Sequence, residues 1–386
     1  MVLSHDLIYP SVDPRVYKEA ESLIKNGFSV SVVCRTDDRE VSKTELYDGI
    51  KIARVYCPHP QRNINRIFRL IHNFRNVRNI TKNIVALRPE VIHCHDLNAL
   101  LEGVLAAKKM KVPLIYDSHE DWPLLEYTKN NNSKLIWILT SIYEHILLLR
   151  VSYKMIVSPG QSRLFTLNNS VLIMNCPTKN FMENADPKHI QEKYDLKDKI
   201  VIIYHGVVSE RKGINEIISA ANKLTKKFEK IRFLIVGNGY EPFLQKVKDK
   251  SLTKYFIFTG RVKYSDIPSL LLASNIDFSV LHPTRQYLLS APTKIFEGMQ
   301  AGIPIIANKE FPALIDIIEK TRSGLLVNCN QSEIDSALEK LISNNKLRNE
   351  LGGNGKVTIE TKFTWEKQET KLIEFYNRIF SKIIKP

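Results

Sequence analysis

Apolar and polar positions along the first half of the chain switch between two periods. Runs rich in Val, Ile and Leu at 30–34, 50–55, 91–95, 114–117 and 155–158 predict short strands, while 14–26 and 98–110 carry apolar residues at the three- and four-residue steps of a helix. Asp13-Pro14 is a helix start and Gly27 a helix stop. After Asp198 the alternation begins again, with strands predicted at 200–204, 232–236, 256–259, 277–281, 304–307 and 325–327. The stretch 175–199, with Pro177 and Pro187, keeps no period and predicts a linker. Strand and helix alternating twice over predict an α/β protein of two doubly wound, Rossmann-like domains, 1–180 and 190–363. In the closing run WEKQETKLIEFYNRIF, Leu372, Phe375, Tyr376 and Ile379 share one side, so a helix over 364–386 is expected to pack back on the first domain.

Length agrees with two domains, since 386 residues exceed one ordinary core. With 44% hydrophobic and 25% charged residues the chain is neither disordered nor fibrous. Its five cysteines are scattered and lack C-x-x-C spacing, which predicts a reducing compartment. The start MVLSHDLIYP has no leader pattern, and no run reaches about 18 uncharged apolar residues, so a cytoplasmic location is expected.

The formal charge of +15 requires anionic partners. No helix-turn-helix, zinc finger or aromatic RNA-binding signature is present, and nucleic acid is set aside. Between Arg62 and Arg88 the charged residues are all basic (Arg62, Arg66, Arg69, Arg75, Arg78, Lys82 and Arg88). Ile64, Ile67, Ile71 and Phe74 supply an apolar stripe, and the segment predicts a basic amphipathic helix. It reads equally as a solvated face or as a peripheral dock on anionic membrane. The apolar run 135–149 is expected to be a buried helix.

In open parallel sheets ligands bind beyond the carboxyl ends of the strands. In the first half, VIHCHD ends on His93, His95 and Asp96, and LIYDSHED on Asp117, His119, Glu120 and Asp121. A lone histidine near a strand end is more often a structural hydrogen-bonder than a catalyst, but two imidazoles and several carboxylates at neighbouring strand ends make the two readings even for His95 and His119; Glu120 and Asp121 read also as helix caps. A metal site is disfavoured, because His93, Cys94 and His95 alternate across a strand and cannot all face one ion. The second half carries more specific signals. HGVVSERKG offers Gly206 for close backbone approach, with Arg211 and Lys212 ahead of a helix, a combination suited to a diphosphate. In LLSAPTKIFEGMQAGIPIIAN a helix begins near Pro292, and amides near Ala291, Thr293 and Lys294 form an anion cradle. Lys294 and Glu297 share a helix face, which lets Lys294 reach phosphate and Glu297 accept from ribose hydroxyls. An intrahelical ion pair is the less favoured alternative for those two. VGNGYE (Gly237, Asn238, Gly239) and TGRVKYSDIP (Gly260, Arg261, Val262) close the same rim and could hold the nucleoside.

At these residues the chain resembles the family 4 retaining glycosyltransferases of GT-B fold, of the bacterial polysaccharide and glycolipid type, over almost its whole length. The resemblance implies two Rossmann-like domains facing a central cleft, with a nucleotide-sugar donor, most commonly UDP-linked, held by the second. It implies that Lys212 binds the donor diphosphate and that Glu297 is the later carboxylate of a Glu-x7-Glu signature. Two positions depart from the family: Leu289 stands where the first Glu belongs, and Val207 where many members carry an Arg. The implied acceptor is a glycan or a lipid-linked chain, met by Asp13, Arg15, His95, Asp96, His119 and Glu120. His95 or His119 would orient it or assist its proton transfer, with front-face attack and retention. No Asp-x-Asp occurs, in keeping with a reaction that uses neither metal nor cofactor beyond the nucleotide sugar. A hydrolysing UDP-sugar 2-epimerase on the same architecture is the rival reading.

Overall fold

The computed structural model describes residues 1–9, 12–58, 66–166 and 169–384. The chain divides into two compact units, Met1–Ile173 with Glu369–Pro386, and Met174–Gln368.

The first unit is built on strands β1 (Ser31–Thr36), β2 (Thr44–Tyr47), β3 (Ile50–Tyr56), β4 (Ile92–His95), β5 (Leu114–Ser118), β6 (Tyr153–Ile156) and β7 (Ser170–Leu172). They run in the orders β1-β3-β2 and β4-β5-β6-β7, and Val2 bridges the two groups by pairing with Val33 on one side and Cys94 on the other. The pairings are parallel except that of β2 with β3. The chain therefore winds outward in both directions from Val2, and the loop after it lies at the point where the strand order reverses. Helix Pro14–Lys25 starts where the sequence predicts, with Asp13 accepting from the amides of Arg15 and Val16. The core gathers Val33, Val55, Ile80, Ile84, Ile92, Cys94, Leu100, Leu114 and Tyr116. The last helix, Trp365–Ile384, begins in the second unit and ends in the first, with Leu372, Phe375, Tyr376 and Ile379 buried.

The second unit is one sheet of six strands, β8 (Ile200–His205), β9 (Ile231–Val236), β10 (Phe256–Gly260), β11 (Ile276–Ser279), β12 (Ile305–Asn308) and β13 (Gly324–Val327). Their order is β10-β9-β8-β11-β12-β13, parallel throughout. The switch point falls between β8 and β11. Separate apolar clusters cover the sheet, one around Ile217, Phe233 and Phe278, the other around Val201, Leu234 and Leu270.

Four expectations change. The stretch 175–199 is not a bare linker: it holds helix Pro187–Lys193 and belongs to the second unit from Met174 onward. Strand β2 escaped prediction because TELY is a four-residue, half-exposed edge without an apolar run. Helix Arg66–Ala86 forms, but it buries Ile80 and Ile84 while Phe74 is exposed. Arg62 and Ile64, and the side chains of Arg66, Ile67, Arg69 and Ile71, lie outside the described residues. Finally, the apolar run 135–149 folds as helix Lys134–Leu148, yet most of its large apolar side chains are exposed.

Candidate active site

In the second unit the strand ends at the switch point carry a compact charged group. His205 closes β8 with its Nε2 3.2 Å from Asp277 Oδ2 on β11 and its Nδ1 3.6 Å from Glu297 Oε2. Glu297 comes from helix Thr293–Gln300, is 5% exposed, and accepts from the Tyr264 hydroxyl at 2.8 Å. Asp277 also accepts from Ser279 Oγ at 2.8 Å. The approach of this helix to β11 depends on Gly298, where a Cβ would stand 2.3 Å from Asp277 Oδ2. One turn nearer the helix start, Lys294 Nζ lies 4.9 Å from the centre of the Tyr204 ring. Burial lowers the Lys294 ammonium to about 8; the carboxylates Asp277 and Glu297 oppose that, and the Lys212 charge adds to it.

Gly206, Lys212, Lys294 and Glu297 thus belong to one rim. Lys212 ends a short 3-10 turn, Glu210–Lys212, that leads into helix Ile214–Leu224. Neither this helix nor Thr293–Gln300 receives a side-chain hydrogen bond at its capping residue, Gly213 and Pro292 respectively. Two helix starts whose capping residues, a glycine and a proline, make no side-chain cap bond thus stand beside two lysines, an arrangement that suits an anion. Arg211 is exposed at the same turn. Gly237 has φ +138° and its Cβ would fall 1.8 Å from Gly206 O, so only glycine lets the ends of β8 and β9 meet. Asn238 joins them through its carbonyl, which accepts from Val208 N at 2.8 Å. Pro292 is the capping residue of its helix rather than its first helical residue, and Thr293 is the first. Arg261 is exposed after β10, whereas Val262 packs against the apolar cluster under the sheet. Val262 is half-buried there, with its side chain against that cluster. Sequence reasoning missed His205, Asp277 and Tyr264; a carboxylate inside the apolar strand NIDFS was the available signal.

In the first unit β4 and β5 deliver their histidines and aspartates side by side. His93 and His95 stack at 4.2 Å on one face of β4, as two-residue alternation requires, and Cys94 turns to the other. His119 Nε2 donates to Asp117 Oδ2 at 2.8 Å, and His95 Nδ1 lies 3.2 Å from the same oxygen. Asp96, held at φ +66°, accepts from the amide of His119 and from Trp122 Nε1, with His119 Nδ1 3.5 Å from its other oxygen. Burial works against a charge on His119, but Asp96 and Asp117 raise it to about 9. Burial lowers His93 and His95 and leaves them neutral. Asp117 is held well below the carboxylate range against its burial, by Arg15 and His119.

Arg15 corrects an expectation. It is 4% exposed, donates to Asp117 and to Ile173 O, and sits 3.0 Å from Glu19. Its guanidinium is spent inside the fold and is not open to an acceptor. His95 is also interior, 2% exposed, with its Nδ1 3.3 Å from His119 Nε2 and 3.2 Å from Asp117 Oδ2. Asp13 is the cap of helix Pro14–Lys25; burial opposes its charge, while His5 and the Val16 amide hold it below its ordinary value. His119, Asp96 and Glu120 keep some exposure at the rim. Asp121 caps helix Trp122–Lys129 and pairs with Arg163 at 2.6 Å. Glu19, His93, His95 and Asp117 place potential metal-ligand atoms within 4.8 Å of one another, closer than strand alternation suggested. Arg15 lies between Asp117 and Glu19. Burial raises Glu19 to about 8, so at neutral pH it is Asp117 whose charge the guanidinium balances. A pocket of about 590 Å³ beyond the ends of β1 and β3, lined in part by His5, Asp6, Arg35, Asp37, Asp38 and Asn76, was not foreseen.

Residues 186–358 match the family model of glycosyl transferases group 1, and residues 14–163 that of glycosyltransferase family 4. The chain carries the two domains of a GT-B, family 4-type glycosyltransferase. It is 29% identical over 202 residues to an uncharacterised glycosyltransferase of Methanocaldococcus jannaschii, a match over 52% of this chain and 49% of that one. The chain thus spans about half the length of that curated relative. It is 20% identical over 401 residues to the GPI3 subunit of phosphatidylinositol N-acetylglucosaminyltransferase from Saccharomyces cerevisiae, covering 97% of this chain and 82% of that one. Among solved structures, HepE from Anabaena in complex with UDP superposes with a TM-score of 0.70 at 15% identity, over 98% and 99% of the two chains. This structural likeness, at 15% identity, establishes the fold and no more.

Proposed function

We propose that this chain transfers a sugar from a UDP-sugar to a glycan or lipid-linked acceptor, with retention of anomeric configuration, at the cytoplasmic face of a membrane. The observation that carries the reading is the paired Lys294 and Lys212 beside two helix starts that no side chain caps, with Glu297 one turn away. A nucleoside diphosphate fits this arrangement: phosphate oxygens meet the lysines and amides, and the ribose diol meets Glu297. The HepE complex supports UDP as the nucleotide, and the GPI3 relative, named for phosphatidylinositol, supports a lipid acceptor.

The chemistry follows from charge. Departure of the diphosphate leaves an oxocarbenium-like sugar and a developing dianion, which Lys212, Lys294, Arg211 and the amides stabilise. With that much fixed positive charge the reading needs neither metal nor cofactor beyond the nucleotide sugar. Leu289 has no hydroxyl acceptor to offer, so donor-sugar recognition falls to backbone or other groups. His119, raised to about 9, is an imidazolium at neutral pH. Its Nε2–H is held by Asp117, so the more loosely paired Nδ1–H beside Asp96 is the group that can donate to a substrate, and the ring does not serve as a general base. The acceptor proton then leaves toward the departing phosphate, as front-face attack allows.

Thermal-shift measurements with UDP, GDP, ADP and CMP identify the nucleotide, since a ligand bound only to the native state raises the melting temperature. Replacing Glu297 with Gln is expected to weaken UDP binding about 10- to 100-fold, the worth of a hydrogen bond to a charged group, and to leave 2′,3′-dideoxy-UDP binding unchanged. Glycosyl transfer undiminished in Glu297→Ala, or release of an epimerised sugar without acceptor, would overturn the reading.

A further inference from the structure

Helix Lys134–Leu148 presents a face that the fold leaves uncovered. Leu135, Ile138 with Leu139, Ile142, Ile146 and Leu149 recur at three- and four-residue steps and are between 47% and 70% exposed. The opposite face carries the buried Glu144 and Leu147 and packs against helices Trp122–Lys129 and Leu97–Met110. An exposed apolar stripe of this length on a folded unit marks an interaction surface.

Charge selects the partner. Glu144 is the helix's one acidic residue, and it is turned inward, 1% exposed, accepting from the Tyr116 hydroxyl at 3.1 Å and pairing with Arg163 at 2.7 Å. The outward face therefore carries no negative charge. Exposed cations stand at its two ends, Lys134 and Arg150, and on neighbouring helix Leu97–Met110, Lys108 and Lys109, while Lys129 on the other neighbouring helix pairs with Glu126 at 3.7 Å. Trp137 and Tyr143, 39% and 42% exposed, are the aromatic types that settle at the level of lipid headgroups. The helix has 15 residues, short of the roughly 20 needed to cross a bilayer, and no helix among the described residues is long and apolar enough to do so. A short apolar stripe rimmed by cations suits a helix lying in the plane of an anionic leaflet.

We propose that helix Lys134–Leu148 is the membrane-docking element of this protein, its apolar stripe inserted among the acyl chains of an anionic leaflet and its lysines and arginine on the headgroups. This deepens the lipid-linked acceptor reading above and rests on it for purpose, while the contact itself stands on the surface alone.

The test compares the full chain with a Leu139→Glu, Ile142→Glu double variant in co-sedimentation with phosphatidylglycerol vesicles and with phosphatidylcholine vesicles. Wild type is expected to partition onto the anionic vesicles at least tenfold more strongly than onto the zwitterionic ones, and the double variant to lose at least tenfold. UDP binding by the variant checks that it is folded. Should the variant fail that check, wild-type Trp137 decides: its emission should shift to the blue on anionic vesicles and be quenched by brominated acyl chains. Trp122 and Trp365 are 8% and 3% exposed and respond little. Wild type remaining in solution, a folded double variant that binds vesicles equally, or unmoved tryptophan emission would overturn the proposal. So would a dimer in solution that the two substitutions dissociate, which would assign the stripe to a second copy. Wild type that binds vesicles but not UDP would leave this inference standing and sink the donor reading.

Discussion

Replacing Lys294 with Met is expected to stabilise the protein and disable its nucleotide site at once. Lys294 is lowered from 10.5 to about 8, chiefly by burial, so at neutral pH the folded chain holds a charge that its surroundings disfavour. A depression of that size corresponds to an unfavourable contribution of roughly 3 kcal/mol below pH 8, and relaxation around a partly exposed ammonium reduces it to on the order of 1–3 kcal/mol. The sign follows from proton counting. Between about pH 8 and 10.5 the unfolded chain holds a proton that the folded one has released, so wild-type stability rises with pH across that window. Methionine removes the charge, keeps most of the stem, and should flatten this rise while increasing stability at pH 7.

Ligand binding should move the opposite way. A diphosphate favours the ammonium, so UDP binding above pH 8 should take up a proton, visible as a dependence of calorimetric heat on buffer ionisation enthalpy. Loss of the charged contact should weaken UDP about 10- to 100-fold. The assay is guanidinium unfolding of the second unit's transition at pH 7 and pH 9.5, paired with UDP titration. A Lys294→Met protein that is no more stable at pH 7 and binds UDP within threefold of wild type would refute the placement of Lys294 as a strained cation awaiting an anion.

His119 should show the reverse dependence. Its folded value, about 9, lies above its ordinary 6.5, so its contribution is complete below pH 6.5 and is lost as pH rises through 9. His119→Gln should remove about 2 kcal/mol at pH 6 and little at pH 10, and equal losses at both would refute the charge assignment. Arg15→Met leaves the buried Asp117 with His119 as its one remaining cation, and should cost up to about 3–5 kcal/mol in denaturant titration. A variant as stable as wild type would show that the guanidinium is dispensable to the interior.

The second unit was legible because its strands are apolar on both faces and each is followed at once by its ligand-facing turn. All six strands fall within two residues of their predicted limits. Lys294 and Glu297 were found because they stand at the start of a helix that follows a strand end. His205 and Asp277 were not, because each lies inside an apolar run, and only the pairing of β8 with β11 brings them together. In the first unit the rim residues His95 and His119 were recognised by type, but their depth was not. Two-residue alternation says which face a side chain takes, not what covers that face. Helix Pro14–Lys25 supplies Arg15 and Glu19 over β4 and β5, and so turns His95 and Arg15 from expected acceptor contacts into interior groups.

The helix at 134–148 exposes a limit of a different kind. A segment apolar on most of its circumference is ordinarily buried, because water penalises each exposed methylene. That rule takes the chain's own core as the one place where burial occurs. Here one side of the helix docks on its unit through Glu144 and Leu147, while Leu139 and Ile142 face outward. Folding thus leaves a hydrophobic cost unrelieved at the surface, where substitution by polar residues would remove it without disturbing the core. In a chain of +15 charge, the proposed docking on an anionic leaflet would relieve that cost and pair the flanking cations in one contact.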